Sequence, residues 1–270
     1  MLNVKRPLPF VMISTNHGTM IVNRNDYRTI DGKGTYGVGH QLLNTSSYEQ
    51  QEVNFALGLI EKRRQSCGAG VVAIDCGANI GVHTIEWARM MYGWGRVIAF
   101  EAQEKIYYAL AGNVAINNCL NVTAKHCAVG AECSTIKVPE LNYLLPSSYG
   151  SFELKEREKN EFIGQTVDYK KTTVVDLLSI DSLNLERIDF IKIDVEGMEE
   201  DVLKGADVSI RKCLPIMLIE VIKSNKAEIE SLLKGMGYQL YPTGVSILAV
   251  HASDPVSKLI SFENNVLRLN

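Results

Sequence analysis

Residues 74–84 read IDCGANIGVHT, and they join the end of an apolar run to the start of a helical pattern. The run VVAI at residues 71–74 is typical of a buried strand, and Asp75 ends that strand. An unpaired carboxylate is costly to bury, because it loses its hydration. The position of Asp75 therefore predicts a bound group at this point of the chain.

The turn after Asp75 is built from small and amide residues, Gly77-Ala78-Asn79-Ile80-Gly81. Glycines allow a ligand to approach the backbone closely, and the free N–H groups at the start of the following helix favour an anionic group. A carboxylate suits this turn as well as a phosphate does.

Outward from this turn, apolar strands alternate with helical patterns. The strands are VVAID, RVIAFEA, VTAKHCAVG, IDFIKIDVEG and PIMLIEV, while YQLYPTGVSILAVH near the end of the chain is strand, turn and strand with no helix between. Such alternation predicts an α/β fold with a doubly wound, mostly parallel sheet and an antiparallel C-terminal strand. Ligands bind such sheets at the carboxyl ends of the strands, where the strand order reverses.

The sequence outside this core divides into an extension and an insert. We expect residues 1–70 to form an N-terminal hairpin about Asn16-His17-Gly18, a glycine-rich loop and a helix, followed by the main domain at residues 71–270. An insert at about residues 139–171 interrupts the alternation and is predicted to be a lid over the substrate. Residues 149–151 are expected to lie closest to the substrate, with the TYGVGH segment and Tyr48 on its other side.

Composition excludes several classes of protein. The net charge of −3 and the isoelectric point of about 6.0 give no global basic field for a nucleic acid. The six cysteines lack the spacing of a zinc site or a disulfide framework and are expected to be reduced thiols. The first ten residues do not resemble a signal peptide, and no window approaches the length of a membrane span, so we expect a cytoplasmic protein without a membrane partner.

Two cofactors suit the geometry of this sheet, a nicotinamide dinucleotide and S-adenosylmethionine. In both cases the acid that ends the second strand, Glu101, would hold a ribose. A dinucleotide fold requires GxGxxG, whereas this turn reads GxNxG with Asp75 two residues before its first glycine. That carboxylate would repel a pyrophosphate and would suit the ammonium of a methionine moiety, so the turn favours S-adenosylmethionine.

Several of these segments resemble successive motifs of the FkbM-family methyltransferases. They are VVAIDCGANIGVHT, VIAFEA, NVTAKHCAVG, IDFIKIDVEGMEEDVLKGA and PIMLIEV, preceded by YGVGHQLLNTSSYEQQEV, and they cover roughly residues 36–251. The resemblance implies a class I methyltransferase fold, S-adenosylmethionine as donor, and O-methylation of a hydroxyl on a sugar, a glycan or a secondary metabolite. FEA stands where the family more often has an acid followed by Pro, and Cys76 stands at a position that is more often aliphatic.

The resemblance also implies roles for individual residues. The methionine end of the donor would lie against Asp75, Gly77, Asn79 and Gly81. Glu101 would hold the ribose, and the adenine edge would lie against Ala128 and Val129.

A hydroxyl acceptor needs a base or a metal to take its proton. Asp194, after the fourth strand, is the first candidate, followed by Glu196 and Glu220. Lys192 alternates onto the same side as Asp194, and is expected either to form an ion pair with an acid of the rim or to orient Asp194 and stabilise the alkoxide. The three acids could also hold Mg²⁺, but their spacing does not require it.

The histidines carry little specificity; His83 or His251 could be a base, but capping or surface roles are expected for four of the five. They are His17, His40, His83 and His251.

Three alternatives stay open: an NAD-dependent oxidoreductase, a nucleic-acid methyltransferase, and a donor-binding protein without catalysis that serves in an assembly. The turn disfavours the first, the lack of an NPPY or Pro-Cys signature disfavours the second, and the acids at the strand ends disfavour the third. The sequence does not identify the acceptor or the oligomeric state.

Overall fold

The computed structural model describes residues 7–32, 34–263 and 266–269 of the 270-residue chain. These residues form two compact units. The smaller comprises residues 7–48 and 137–173, and the larger residues 49–136 and 174–269, each without the undescribed positions. The first boundary falls near residue 48 and not at residue 70, because the helix after it packs on the main sheet.

The smaller unit begins with the predicted hairpin and continues with elements that the sequence did not predict. Strands β1 (Phe10–Thr15) and β2 (Gly18–Asn23) pair antiparallel. The segment predicted to be a glycine-rich loop instead forms a second hairpin of β3 (Arg28–Ile30) and β4 (Gly34–Tyr36), followed by helix α1 (Val38–Thr45). Glycines at positive φ, such as Gly34 and Gly37, permit the tight turns and do not prevent regular structure between them.

A buried acid, Asp26, organises the smaller unit. Its Oδ2 accepts the N–H of Gly39 at 2.9 Å and its Oδ1 accepts the N–H of Tyr149 at 3.1 Å. Burial raises the pKa of Asp26 to about 6, and the two backbone donors oppose that rise. The carboxylate thereby connects helix α1 to the segment predicted as a lid.

That segment is largely irregular, with a single 3-10 turn at Tyr149–Ser151. The Tyr149 side chain is fully buried and its hydroxyl donates to the carbonyl of Leu145 at 2.6 Å. The prediction that Tyr149 lies closest to the substrate is therefore wrong for its side chain, which belongs to the core of the smaller unit.

The larger unit contains the remaining elements, and the second and third boundaries between the units fall within β9 and β10. In chain order they are α2 (Gln50–Cys67), β5 (Val71–Cys76), α3 (Val82–Met90), β6 (Gly95–Glu101), α4 (Glu104–Ile116), β7 (Val122–His126), β8 (Ala128–Val129), β9 (Ser134–Pro139), β10 (Thr172–Leu178), β11 (Phe190–Ile193), α5 (Glu199–Lys204), α6 (Asp207–Cys213), β12 (Ile216–Glu220), α7 (Lys226–Gly235), β13 (Tyr238–Thr243), β14 (Ser246–His251), β15 (Ile260–Glu263) and β16 (Val266–Leu269), with 3-10 turns at Asp181–Leu183 and Pro255–Lys258.

Among the described residues, the main sheet has seven strands in the order β13-β14-β12-β11-β5-β6-β7. Strands β5, β6, β7, β11 and β12 run parallel, while β14 is antiparallel to both β12 and β13. The apolar runs of β5 and β11 are buried along their whole length, as expected for central strands covered on both faces. The predicted fold class is confirmed, and the order of the strands reverses between β5 and β11.

Two details differ from the sequence prediction. The predicted third strand ends at His126, and Ala128 and Val129 form the separate strand β8, which pairs in parallel with the unpredicted β10. The helical pattern after β11 is divided into two short helices, α5 and α6. In the described part of the chain, no helix has both the length and the apolar character needed to cross a membrane.

Candidate active site

The turn after β5 lies against the end of β11. Gly77 has φ +82°, and a Cβ built on it would lie 1.8 Å from the carbonyl oxygen of Asp194. The N–H of Asp194 in turn donates to the carbonyl of Cys76 at 3.0 Å. Only glycine fits here, both for its φ and for its close approach to the neighbouring strand end.

Asp75, the next-to-last residue of β5, is 1% exposed, and only one of its two carboxylate oxygens has a hydrogen-bond partner among the described residues. Thr84 Oγ1, on α3, donates to Asp75 Oδ2 at 2.6 Å. The other oxygen, Oδ1, is buried without a hydrogen-bond partner among the described residues. Burial raises the pKa of Asp75, with the Lys192 ammonium and Thr84 opposing the rise. An unpaired, buried carboxylate oxygen fits a cationic donor group from a ligand, such as an ammonium.

The rest of the turn is held by Glu101, at the end of β6. Glu101 Oε2 accepts the N–H of Asn79 at 3.0 Å, and its Oε1 accepts the N–H of Gln103 at 2.7 Å. Asn79 has φ +52°, and its Oδ1 accepts the N–H of Ile80 at 2.7 Å. Burial raises the pKa of Glu101 to about 7. Each Glu101 oxygen keeps capacity for a further bond, such as one from a ribose hydroxyl.

The other three positions suggested for the donor lie in buried surroundings. Gly81 has φ +92°, and a Cβ there would lie 2.6 Å from Leu110, so this glycine allows α4 to pack against the start of α3. Ala128 and Val129 are 4% and 3% exposed in β8. Their contact with adenine stays a prediction.

Lys192 and Asp194 form the ion pair that their alternation predicted, with Lys192 Nζ 2.7 Å from Asp194 Oδ2. Lys192 lies opposite Asp75 in the register of β11 and β5. Burial opposes its charge, but Asp194, Asp75 and Glu52 outweigh that effect and raise the pKa of Lys192. A buried ammonium is thus shared among three carboxylates.

The loop after β11 brings the other predicted acids to the same place. One carboxylate oxygen each of Asp194, Glu196 and Glu220 lies within 4.8 Å of the others. Burial raises the pKa of Glu196 to about 8 and that of Glu220 to about 9, and the charge of Asp194 adds to both shifts. Lys223 Nζ lies 2.7 Å from Glu196 Oε2. The three acids therefore form a real cluster with two lysines beside it.

Glu199, the first residue of α5, fixes the shape of this loop. Its Oε1 accepts the N–H of Val195 at 3.0 Å and that of Gly197 at 3.1 Å. Glu196 between them has φ +54°, a strained conformation that these hydrogen bonds hold. The VEG segment is thus a rigid turn.

The cluster has the oxygen ligands that Mg²⁺ takes, but lysine ammoniums already lie at two of its members. A second group with ligand chemistry, which the sequence did not indicate, consists of Glu49, Glu52 and His83.

The histidines differ from the expected surface roles in two cases. His83 is 6% exposed, lies 3.5 Å from Glu52 through its Nε2 and contacts the Trp87 ring edge-on. His17 is fully buried and its Nε2 accepts the N–H of Tyr48 at 3.0 Å. His40 lies 3.2 Å from the Asn44 amide, and His251 lies 2.7 Å from the Ser253 hydroxyl.

Glu52 and Thr84 are the site residues that sequence analysis missed. Glu52 lies in the first turn of α2, on the face that also carries the buried residues Ala56 and Leu59. Positions 52, 56 and 59 share one face of a helix, so an acid at the start of an apolar stripe was the available signal.

The chain is similar in sequence to known methyltransferases. The model of the methyltransferase FkbM domain family matches residues 75–240. Methyltransferase sdnD from Sordaria araneosa is 27% identical over 194 residues, which cover 62% of this chain and 73% of the relative. Methyltransferase 1 from Beauveria bassiana (strain ARSEF 2860) is 25% identical over 177 residues, which cover 61% and 71%.

Among solved structures, a methyltransferase FkbM from Methylobacillus flagellatus KT is similar, with a TM-score of 0.47 and 20% identity over 67% of this chain. The match spans only 44% of the length of that chain. The family match covers more than half of the present sequence and includes Asp75, Glu101 and the acid cluster. The chain therefore belongs to the FkbM methyltransferase-domain family, which implies S-adenosylmethionine as its methyl donor.

Proposed function

We propose that this chain transfers the methyl group of S-adenosylmethionine to a hydroxyl of a small molecule or glycan, with Asp194 as the proton acceptor. The observation that carries the proposal is that Oδ1 of Asp75 is buried and has no hydrogen-bond partner among the described residues. Asp75 lies opposite Lys192 in the sheet register, and Lys192 forms an ion pair with Asp194. One site thus combines an oxygen for a cationic ligand with a carboxylate that can take a proton.

The residues present fit the donor. Asp75 would bind its ammonium, Glu101 its ribose hydroxyls, and the backbone at Gly77, Asn79 and Gly81 its methionine end. The adenine edge is assigned to Ala128 and Val129. When bound, the donor would supply an electrophilic methyl group, which is attached to a positively charged sulfur.

The proton of the acceptor hydroxyl is assigned to Asp194 on chemical grounds. Burial and the charge of Asp194 raise the pKa of Glu220 to about 9, which favours its protonated form at neutral pH, and Glu196 is already paired with the Lys223 ammonium, so neither is ready to accept a proton. Asp194 carries the ion pair with Lys192, and its side chain is 27% exposed. A positioned base contributes about 10²- to 10⁴-fold to such a reaction.

Glu220 then serves as a neutral hydrogen-bonding group beside Asp194, while Glu196 pairs with Lys223. The interaction between Glu220 and Asp194 favours the protonated form of Glu220. A protonated neighbour can donate to Asp194 and keep its carboxylate oriented. Methyl transfer is an in-line displacement, so this orientation matters as much as basicity.

The test is incubation of the purified chain with methyl-labelled donor and a panel of sugars, glycans and hydroxylated small molecules. We expect label on a hydroxyl of one class, and loss of transfer by at least about 10²-fold in Asp194→Asn. Asp176→Asn, which changes an exposed acid on β10, is the matched control and should keep full activity.

Label on a protein or an RNA instead would contradict the substrate class. Binding of a pyridine dinucleotide in place of the donor would favour the oxidoreductase alternative. Donor binding without transfer to any acceptor would favour a non-catalytic role in an assembly.

A further inference from the structure

Helix α2 contributes an acid to the site from outside the matched family domain. The match begins at residue 75, whereas Glu52 lies in the first turn of α2, which packs on β5 and α3. Its side chain is 24% exposed and its Oε1 lies 3.5 Å from His83 Nε2. His83 belongs to α3, the helix that begins at the donor turn.

Glu52 acts on the same ammonium as the two aspartates of the site. Lys192 is 7% exposed, and three carboxylates stabilise its charge: Asp194 by direct contact, Asp75 across the strand register, and Glu52 from α2. The electrostatic potential at the site is the sum of the potentials of these charges, so a change in the charge of Glu52 alters the potential that a ligand meets beside Asp75.

We propose that Glu52 is a positioning residue of the methyl-transfer site, because it lies beside the helix that begins at the donor turn and its charge adds to the electrostatic potential with which Asp75 attracts the donor ammonium. The proposal rests on the proposed function, since it assigns Asp75 to the ammonium of the donor and Asp194 to the proton of the acceptor.

The direction of the effect follows from the charges. When Glu52 is ionised, its negative charge offsets the positive potential of Lys192, so the site around Asp75 attracts the donor ammonium more strongly. When Glu52 is protonated, this offset is lost. The affinity for the donor should therefore rise as Glu52 loses its proton.

This change falls in the neutral range. Burial raises the pKa of Glu52 to about 7, with Lys192 opposing the rise and the neighbouring acids adding to it. The titratable and charged groups that face Glu52 are Glu49 at the start of its own helix, Asp75 on β5, His83 on α3, and Lys192 with Asp194 at the end of β11.

The test is calorimetric titration with S-adenosylhomocysteine, which carries the ammonium and requires no acceptor. It compares the parent chain, Glu52→Gln and Glu61→Gln at pH 6 and pH 8.5. Glu61 lies on the same helix with its side chain 38% exposed, so it is the matched control. We expect Glu52→Gln to equal the parent at pH 6, where Glu52 is already neutral, and to bind about tenfold more weakly at pH 8.5, the equivalent of one pKa unit of linkage.

Comparing variants at each pH separates Glu52 from Glu101, whose pKa of about 7 gives all variants a common pH dependence. Glu52→Asp keeps the carboxylate, so its affinity should change with pH as that of the parent does. A loss of affinity in Glu52→Gln that is equal at both pH values would mean a merely structural role and would overturn the proposal, as would identical affinities throughout.

The two proposals fail in different ways. If the parent chain does not bind S-adenosylhomocysteine at either pH, the donor assignment itself is wrong, and the proposed function falls with the role of Glu52. If the parent binds S-adenosylhomocysteine, and the ratio of its affinity to that of Glu52→Gln is the same at both pH values, only the role of Glu52 is refuted.

Discussion

Asp26 in the smaller unit and Asp75 in the larger unit are both buried, and the two differ in what their oxygens contact. Asp26 in the smaller unit has a backbone N–H on each oxygen, from Gly39 and Tyr149. Asp75 in the larger unit has Thr84 on one oxygen and no hydrogen-bond partner for the other among the described residues. Both are at most 3% exposed, so burial alone does not distinguish them.

The difference teaches how to separate a structural acid from a binding acid. A buried carboxylate whose bonds are complete within its own unit stabilises that unit, as Asp26 does by joining α1 to the irregular segment. A buried carboxylate with an oxygen left over is costly to the fold and is retained for a ligand. The predictions below test whether this distinction holds.

The largest loss of stability is expected from Gly77→Ala, which places a methyl group in the turn beside Asp75. The new Cβ would overlap the Asp194 carbonyl, so we expect a loss of about 4 kcal/mol or more in the free energy of unfolding, measured by denaturant titration. Gly93→Ala is the control, because Gly93 has nearly the same φ, +81°, with nothing within 4 Å of the added atom, and should cost only about 1–2 kcal/mol. Equal losses would show that the close approach does not exist.

The next effect concerns Asp75 itself. Asp75→Asn removes the charge that the leftover oxygen offers to an ammonium, and we expect S-adenosylhomocysteine to bind about 100-fold more weakly by calorimetry, or roughly 2.7 kcal/mol. The free energy of unfolding should change little, since the ionised acid is costly to bury. A variant that unfolds while the remaining folded fraction binds normally would place Asp75 in the same class as Asp26.

Asp26→Ala should do the reverse. It leaves two buried N–H groups without acceptors, and we expect a loss of about 2 kcal/mol in the free energy of unfolding, seen as a lower melting temperature. The affinity of the folded protein for S-adenosylhomocysteine should stay at the parent value. A weakened affinity with unchanged stability would show that Asp26 is a binding acid and not a structural one.

The smallest effect is a dependence of stability on pH. Glu220 has an ordinary pKa of 4.5, raised to about 9 by burial and by Asp194 and Glu196, so between these values the folded state binds more protons than the unfolded state. The stability of the parent should therefore fall as pH rises through this window. Glu220→Gln removes this contribution and should stabilise the chain by about 1 kcal/mol at pH 9 in thermal melts, with little effect at pH 5.

Glu186→Gln is the control for that measurement. The Glu186 side chain is 89% exposed, and its removal should leave the pH dependence of the melting temperature unchanged. A parent protein that becomes more stable between pH 6 and pH 9 would show that Glu220 is not held in its protonated form.

The sequence was sufficient for the rim of acids because their positions follow from a single rule. Parallel strands end at one edge of the sheet, so Asp75, Glu101, Asp194 and Glu220 had to lie together once the alternation was recognised. The ion pair of Lys192 with Asp194 followed from the period of two residues in a strand.

What could not be predicted depends on packing between segments that are distant in sequence. Glu52 reaches the site only through the orientation of α2 on β5 and α3, which no spacing in the sequence encodes. The second hairpin and α1 were hidden because glycines indicate turns without showing what lies between them. The side chain of Asn79 bonds to its own turn, which motif spacing cannot distinguish from a bond to a ligand.

The close approach of Gly77 to the Asp194 carbonyl fixes the ends of β5 and β11 relative to each other. Because the donor turn and the proposed base share this contact, the separation between the transferred carbon and the receiving oxygen has little freedom to drift as surrounding loops change. Relatives that keep the two ends together could then acquire new acceptors by altering only the walls around them, with the reacting geometry inherited intact.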